Sequence, residues 1–275
     1  MKRKKIIMII AGVVVALGLL FSVIFIAPVI RENESKERVF PELKERLDEV
    51  ESSVIGILPK TENKNDGSVT YGYGGSGVIF KQENGTYYAL TAAHVVGDES
   101  GTYKAYTAKT EYTTVDDPAF DQFGIEVVDN SFYDKLSDVK VEYVSETDDI
   151  AVVSFRSADS LIVAELGSDP TAGEKVLCLG HPDGKKLTAS YGFIISDLKS
   201  VTMRDKYSGT EHTDSVYEHD AYLNPGSSGG AVFSDDLQLC GINVGGSFDA
   251  FEHFSGGFMI PASRLQNCID EWDVN

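Results

Sequence analysis

Three short stretches of the chain hold the residue types that acyl-transfer chemistry needs. They are Leu90-Thr-Ala-Ala-His94-Val-Val96, Asp148-Asp149-Ile-Ala-Val152 and Asn224-Pro-Gly-Ser-Ser228-Gly-Gly-Ala231. A serine hydroxyl is a poor nucleophile until a base takes its proton. Ser228 is the candidate nucleophile. His94 is the candidate base, since a neutral imidazole can accept that proton and later return it to a leaving amine. Asp149 opens the apolar run Ile150-Ala-Val-Val153, where a carboxylate can fix the imidazole tautomer and offset its charge. Asp148 is the adjacent rival, and the Asp-Ile-Ala-Val setting favours Asp149. Glycines around Ser228 tolerate φ > 0, so the N–H groups of Gly226 and Ser228 can converge on one point as an oxyanion hole.

Each stretch alone has an ordinary explanation. A Gly/Ser run usually marks a loop, and one histidine among five is more often structural. A second chemistry also fits: Gly226-Ser-Ser228-Gly-Gly230 matches G-x-S-x-G, the nucleophile elbow of α/β-hydrolases. That elbow needs its acid and histidine after the serine, within alternating βα units. Only 47 residues follow Ser228, and the βα alternation is missing.

The elements that must position these residues are short and β-rich. The pattern predicts strands at Ser53–Leu58, Gly77–Phe80, Tyr87–Thr91, Ile125–Val128, Val139–Val144, Ile150–Phe155, Lys175–Leu179, Tyr191–Ile195, Gly230–Phe233, Leu239–Val244 and Gly257–Ile260. Gly, Asn, Asp and Ser clusters separate many of them, which argues for an all-β sandwich or barrel. Pro261 to Trp272 reads as a closing helix. Residues 61–70 and 100–147 read as the long loops. No repeat of solenoid type is present.

At this point the chain resembles a known group. The three stretches, in the order His, Asp, Ser, are similar to the active-site motifs of the trypsin-like clan. The nearer resemblance is to the HtrA/DegP-like bacterial proteases. It rests on Gly75-Ser76-Gly77, Thr91-Ala-Ala-His94-Val95 and Asp220-Ala-Tyr-Leu-Asn224-Pro-Gly-Ser-Ser228-Gly-Gly. It extends through Leu166-Gly-Ser-Asp169, Gly173-Glu-Lys-Val176, Leu179-Gly-His-Pro182 and Gly192-Phe-Ile-Ile-Ser196. The resemblance implies two six-stranded antiparallel β-barrels of the chymotrypsin type and a serine endopeptidase. His94, Asp149 and Ser228 would be its triad, acting on protein or peptide substrates without a cofactor. It implies that Val244-Gly245-Gly246 pairs with the substrate backbone. Tyr222 stands where trypsin-type enzymes carry an acidic pocket base, which points to a small or medium apolar P1 residue. His253 and Asp249 lie in the nearby loop. Ser227 departs from the usual asparagine and His181 from another. The sequence as it stands leaves no room for a C-terminal PDZ domain. A catalytically inactive trypsin fold, serving as a binding or chaperone module, is the competing expectation.

The remaining features bound location and partners. Ile6 to Ile30 is a run of 25 residues without a charge, long enough as a helix for a hydrocarbon core of about 30 Å. It is too long for a typical signal-peptide core and lacks a small-residue cleavage site, so it reads as an uncleaved anchor. Lys2, Arg3, Lys4 and Lys5 precede it, which puts the N-terminus in the cytoplasm and the rest outside. The expected organisation is residues 1–5 cytoplasmic, 6–30 in the bilayer, 31–52 a juxtamembrane helix and 53–275 the catalytic domain. Phe40, Leu43, Leu47 and Val50 form one apolar stripe on that helix, which suits packing on the domain or a homotrimer contact. A net charge of −19 argues against nucleic-acid binding. Cys178, Cys240 and Cys268 show no metal-ligand spacing, so no metal site is expected. Cys178 and Cys240 either pair or are buried thiols.

Overall fold

The computed structural model describes residues 40–274 apart from 64, 73, 98–100, 112–113, 116–126, 129, 183–185, 205–210 and 249–253. The expected membrane segment, the residues around it to 39, and loop residues Asp249 and His253 lie outside the described residues. Among the described residues, no helix is long and apolar enough to cross a membrane.

The first sheet is built from β1 (Val54–Glu62), β2 (Val69–Tyr71), β3 (Gly75–Glu83), β4 (Thr86–Thr91), β5 (Tyr103–Thr107), β8 (Ser137–Ser145) and β9 (Ile150–Arg156). Its order is β2-β1-β3-β4-β9-β8-β5, and β5 pairs again with β1. Six antiparallel strands therefore close into a barrel, with β2 as an appendage on β1. β6 (Thr114–Val115) and β7 (Val127–Val128) pair separately. Asn84 and Gly85, both at positive φ, make the two-residue turn between β3 and β4 that a right-twisted hairpin favours. Ile55, Ile57, Ile79, Ala89, Ala151 and Val153 fill the barrel with almost no solvent contact.

The second sheet runs β11 (Thr188–Phe193), β10 (Lys175–Gly180), β14 (Ala231–Ser234), β15 (Leu239–Phe248), β16 (Phe254–Pro261), β13 (Glu211–His219) and β12 (Lys199–Arg204). Two closed six-stranded barrels were expected. The first sheet matches. The second is a seven-stranded sheet whose β11 and β13 ends meet only at the bridge Ile194↔His219, with β12 extending outward from β13. In the β12–β13 hairpin the apolar alternation is short: Val201 and Met203 are half-buried in β12, and the buried positions Asp214 and His219 of β13 are polar.

Three further expectations need correction. Residues 100–147 contain β5 and β8, and 61–70 contains the start of β2, so neither stretch is simply a loop. β8 has no fully buried position before Ser145, which explains its weak apolar signal. Residues 41–52 are not one helix: α1 (Pro41–Glu45) is followed by 3-10 turns at Leu47–Glu49 and Glu51–Ser53. The Val50 N–H donates to the Leu47 carbonyl at 3.1 Å and the Ser53 hydroxyl to the Val50 carbonyl at 2.6 Å. These three-residue closures interrupt the helix, while Phe40, Leu43 and Val50 of the expected stripe are buried.

The closing helix is present as α4 (Ala262–Val274); α2 (Ala93–Val96) and α3 (Asn130–Tyr133) are single turns. Asp169 caps the first turn of α4, accepting from the Ser263 N–H and hydroxyl at 2.7 Å each. Ala262, Leu265 and Cys268 form its buried stripe. Its far end lies on the first barrel. Trp272 sits edge-on to Phe80 with ring centroids 5.7 Å apart, and Tyr143 donates to Glu271 at 2.8 Å.

All three cysteines are free and buried, which settles the pairing of Cys178 and Cys240 against a disulfide. Burial pushes the Cys240 and Cys268 thiols up to about 12 and raises Cys178 further. Behind them lies His219, fully buried, with Nε2 2.9 Å from Asn243 Oδ1. Burial pushes this ring down to about 4, so it is neutral in the folded state. Unfolding restores an ordinary value near 6.5, so protons bind preferentially to the unfolded chain as pH falls from 6.5 toward 4. This component of stability is complete above about pH 6.5. Urea titrations at pH 7 and pH 4.5 should show His219→Gln losing about 2–3 kcal/mol less stability than wild type over that interval. Equal losses would show that His219 does not contribute.

Candidate active site

Strand register brings the His94 and Asp149 stretches together, and Ser76 joins the Ser228 stretch to them. In the first sheet Thr91 pairs with Ala151, so the end of β4 and the start of β9 share one rim. α2, carrying His94, follows β4, and Asp149 immediately precedes β9. The Ala93 N–H donates to the Asp149 carbonyl at 3.1 Å and the His94 N–H to Asp149 Oδ1 at 3.0 Å. The His94 ring places Nδ1 2.8 Å from Asp149 Oδ2 and 3.1 Å from Oδ1. An ionised carboxylate only accepts, so Nδ1 carries the proton and Nε2 is left as a lone-pair base. The carboxylate is 10% exposed while the His94 side chain is 47% exposed. A desolvated anion thus backs a ring whose outer edge faces solvent. Asp149 has φ +50°, in the left-handed region that a non-glycine residue rarely adopts.

Asp148 is engaged elsewhere. Arg264 Nη2 donates to Asp148 Oδ1 at 2.7 Å. Burial alone would raise this carboxyl; hydrogen bonds from Ser145 and Arg264 outweigh it and hold the group below the ordinary carboxylate range. Asp149, not its rival, is the partner of His94.

Ser228 belongs to the second sheet, at the turn entering β14. Gly226 and Gly229 have φ +94° and +79°, values open to glycine. A Cβ on Gly229 would lie 2.1 Å from the Ser76 carbonyl oxygen and 2.3 Å from Thr91 Oγ1. This close approach seats the nucleophile turn against the segment that leads into His94. The Ser227 N–H donates to the Asn224 carbonyl at 3.0 Å, Gly229 to Asn243 at 2.7 Å and Gly230 to Ser227 at 2.9 Å. Among the described residues the N–H groups of Gly226 and Ser228 donate to no protein acceptor. These are the two donors expected for an oxyanion hole.

Ser76 ties this turn to the first barrel. Its N–H donates to the Ser228 carbonyl at 2.7 Å and its hydroxyl to the Gly226 carbonyl at 2.8 Å. The same hydroxyl accepts from the His181 N–H at 2.8 Å, and the Ser76 carbonyl accepts from Thr91 Oγ1 at 2.6 Å. Within Gly75-Ser76-Gly77 the sequence carries no sign of this role for Ser76. Its full burial in a glycine-flanked strand becomes visible only in the fold.

The residues that the resemblance assigns to substrate lie on β15 and close to it. Gly245 and Gly246 of β15 pair with Phe258 and Gly257 of β16. β14 pairs with β15 only as far as Ile242. Beyond that point Val244–Gly246 has no strand on its other edge among the described residues. Tyr222 is half-buried, donates to Asn224 Oδ1 at 2.8 Å and stacks edgewise on Phe254. Among the described residues no cluster of His, Cys, Asp and Glu suits a metal ion.

Residues 75–242 match the trypsin-like peptidase domain family. The chain belongs to that family. It is 33% identical over 200 residues to the serine protease Do-like HtrA of Bacillus subtilis (strain 168), covering 72% of this chain and 38% of the relative. It is 29% identical over 244 residues to the serine protease Do-like HtrB of the same strain, covering 83% and 46%. A serine protease HtrA-like protein of Staphylococcus aureus (strain MRSA252) is 28% identical over 233 residues, covering 82% of this chain and 26% of the relative. The chain thus spans half or less of the length of these curated relatives. The matched region contains His94, Asp149, Ser76 and Ser228 and stops at Ile242, so Val244–Gly246 and α4 lie past it.

Loss of the Ser76 hydroxyl removes the donor that fixes the Gly226 carbonyl. Ser76→Ala should lower kcat about tenfold on a peptide substrate, with KM changed less than about twofold, because oxyanion geometry matters chiefly in the transition state. An unchanged kcat would dismiss this role.

Proposed function

We propose that this chain is a serine endopeptidase that cleaves peptide bonds through an acyl-enzyme. The observation that carries this reading is the His94–Asp149 pair at 2.8 Å beside a glycine turn that presents two undonated N–H groups around Ser228. His94 Nε2 takes the Ser228 proton as Oγ attacks the scissile carbonyl. The oxyanion that forms accepts from the Gly226 and Ser228 N–H groups. His94, now charged and stabilised by Asp149, gives its proton to the leaving amine. The same base then activates the water that releases the acyl group. A non-catalytic module would have no use for this set.

The open edge of Val244–Gly246 supports a substrate bound as an added strand. The Tyr222 ring, set against Phe254, favours a small or medium apolar P1 side chain over a basic one. The 25 uncharged residues from Ile6 to Ile30, after four basic residues, support a single-pass anchor in the bilayer with the catalytic domain outside the cytoplasm.

A fluorophosphonate probe should label the full chain at Ser228 and should not label Ser228→Ala. Labelling of another serine would move the site; no labelling would reject the enzyme reading. Asp149→Asn should lower kcat by about 10⁴-fold, as expected when the base is held in the wrong tautomer. Protease added to intact cells should digest residues 53–275 but spare the N-terminus; full protection would reject the topology.

A further inference from the structure

We propose that Arg264 is a positioning residue for the triad: its guanidinium ties the Ser145–Asp149 turn of the first barrel to β13 of the second sheet and so sets Asp149. This rests on the reading of the chain as a serine peptidase.

Arg264 sits in the first turn of α4, with its side chain 18% exposed. Nη2 donates to Asp148 Oδ1 at 2.7 Å and to the Asp148 carbonyl at 3.1 Å. Nη1 donates to Asp214 Oδ1 and, at 3.0 Å, to the Ser215 carbonyl. The Asp214 side chain is 3% exposed, so this is a buried anchor on β13. The Asp148 carboxylate is braced from its own turn by the Ser145 hydroxyl at 2.7 Å. Helix α4 itself is fixed at both ends, by the Asp169 cap and by Trp272 on the first barrel. The guanidinium is therefore a rigid planar fork held between two sheets.

The Asp148 carbonyl is the important contact. It belongs to the peptide plane whose rotation about the Asp149 N–Cα bond is the residue's φ, and that φ is +50°. A backbone in this region persists only where its surroundings over-determine it. From the other side, Asp149 is held through its carbonyl and carboxylate by the N–H groups of Ala93 and His94. Arg264 supplies the opposing restraint. It also anchors that restraint to the sheet that carries Ser228, so it governs the position of the acid and base relative to the nucleophile. Small errors in that position are costly, since displacements of about 1 Å can lower rates 10²-fold.

The test uses the full chain and compares Arg264→Gln, Arg264→Lys and Trp272→Leu. The last loosens α4 without touching the turn, and serves as the matched structural control. Each is assayed where circular dichroism shows it folded. Arg264→Gln should lower kcat by about 10- to 100-fold with KM within about twofold. The downfield proton resonance of His94 Nδ1–H should broaden or shift. Arg264→Lys, which keeps the charge but cannot span both aspartates, should recover only part of kcat. Trp272→Leu should keep both kcat and the resonance. The proposal is overturned if Arg264→Gln retains the His94 resonance, or if its kcat falls no further than that of Trp272→Leu. If wild type shows neither turnover nor labelling of Ser228, the peptidase reading fails, and the resonance still decides whether Arg264 positions the pair.

Discussion

His94 and Asp149 stand on the rim of one sheet, and Ser228 stands on another. Proton transfer between base and nucleophile needs them within hydrogen-bond reach, so the seam between the sheets has to be held to a fraction of an ångström. Few atoms do this. The Ser76 N–H and hydroxyl reach across to Ser228 and Gly226, and the Ser76 carbonyl turns back to Thr91. Each such bond contributes only about 1 kcal/mol to stability. Their importance is geometric, because each fixes a backbone group next to a reacting one.

The seam also dictates where side chains are forbidden. A Cβ at Gly75 would lie 2.4 Å from Val95 and 2.8 Å from the Ser228 carbonyl, and Gly229 is still more confined. These glycines let two backbones touch, and the touching backbones carry Ser228 and lead into His94. Local strain is the accompanying cost. Asp149 occupies the left-handed region, and hydrogen bonds on both of its sides compensate.

Much of this was legible in the sequence, for physical reasons. Ile150-Ala-Val-Val153 is buried on both faces of β9 and reads as an uninterrupted apolar run. The glycines flanking Ser228 announce a special backbone, and the structure pairs His94 with Asp149 while Asp148 pairs with Arg264. The polar β12–β13 hairpin was not legible, because two of the buried positions of β13, Asp214 and His219, are polar and leave no apolar period of two. The continuous helix expected through residue 52 failed because serine and valine carbonyl–donor pairs close the chain in three-residue turns. The pairings of Ser76 with Gly226 and Ser228 were invisible because they join residues 150 positions apart or more. Arg264 was hidden for the same reason: its partners lie 50 and 116 positions away, and nothing in Ala262-Ser-Arg264-Leu marks it.

The buried thiols bear on redox chemistry. Thiol–disulfide exchange proceeds through the thiolate. Burial pushes the Cys240 and Cys268 thiols up to about 12, so both are protonated at pH 7. Exchange with external disulfides at these positions would first require local opening of the sheet or of α4. In the folded domain the three cysteines act as small apolar fillers, and their reactivity toward disulfides would report opening of the fold.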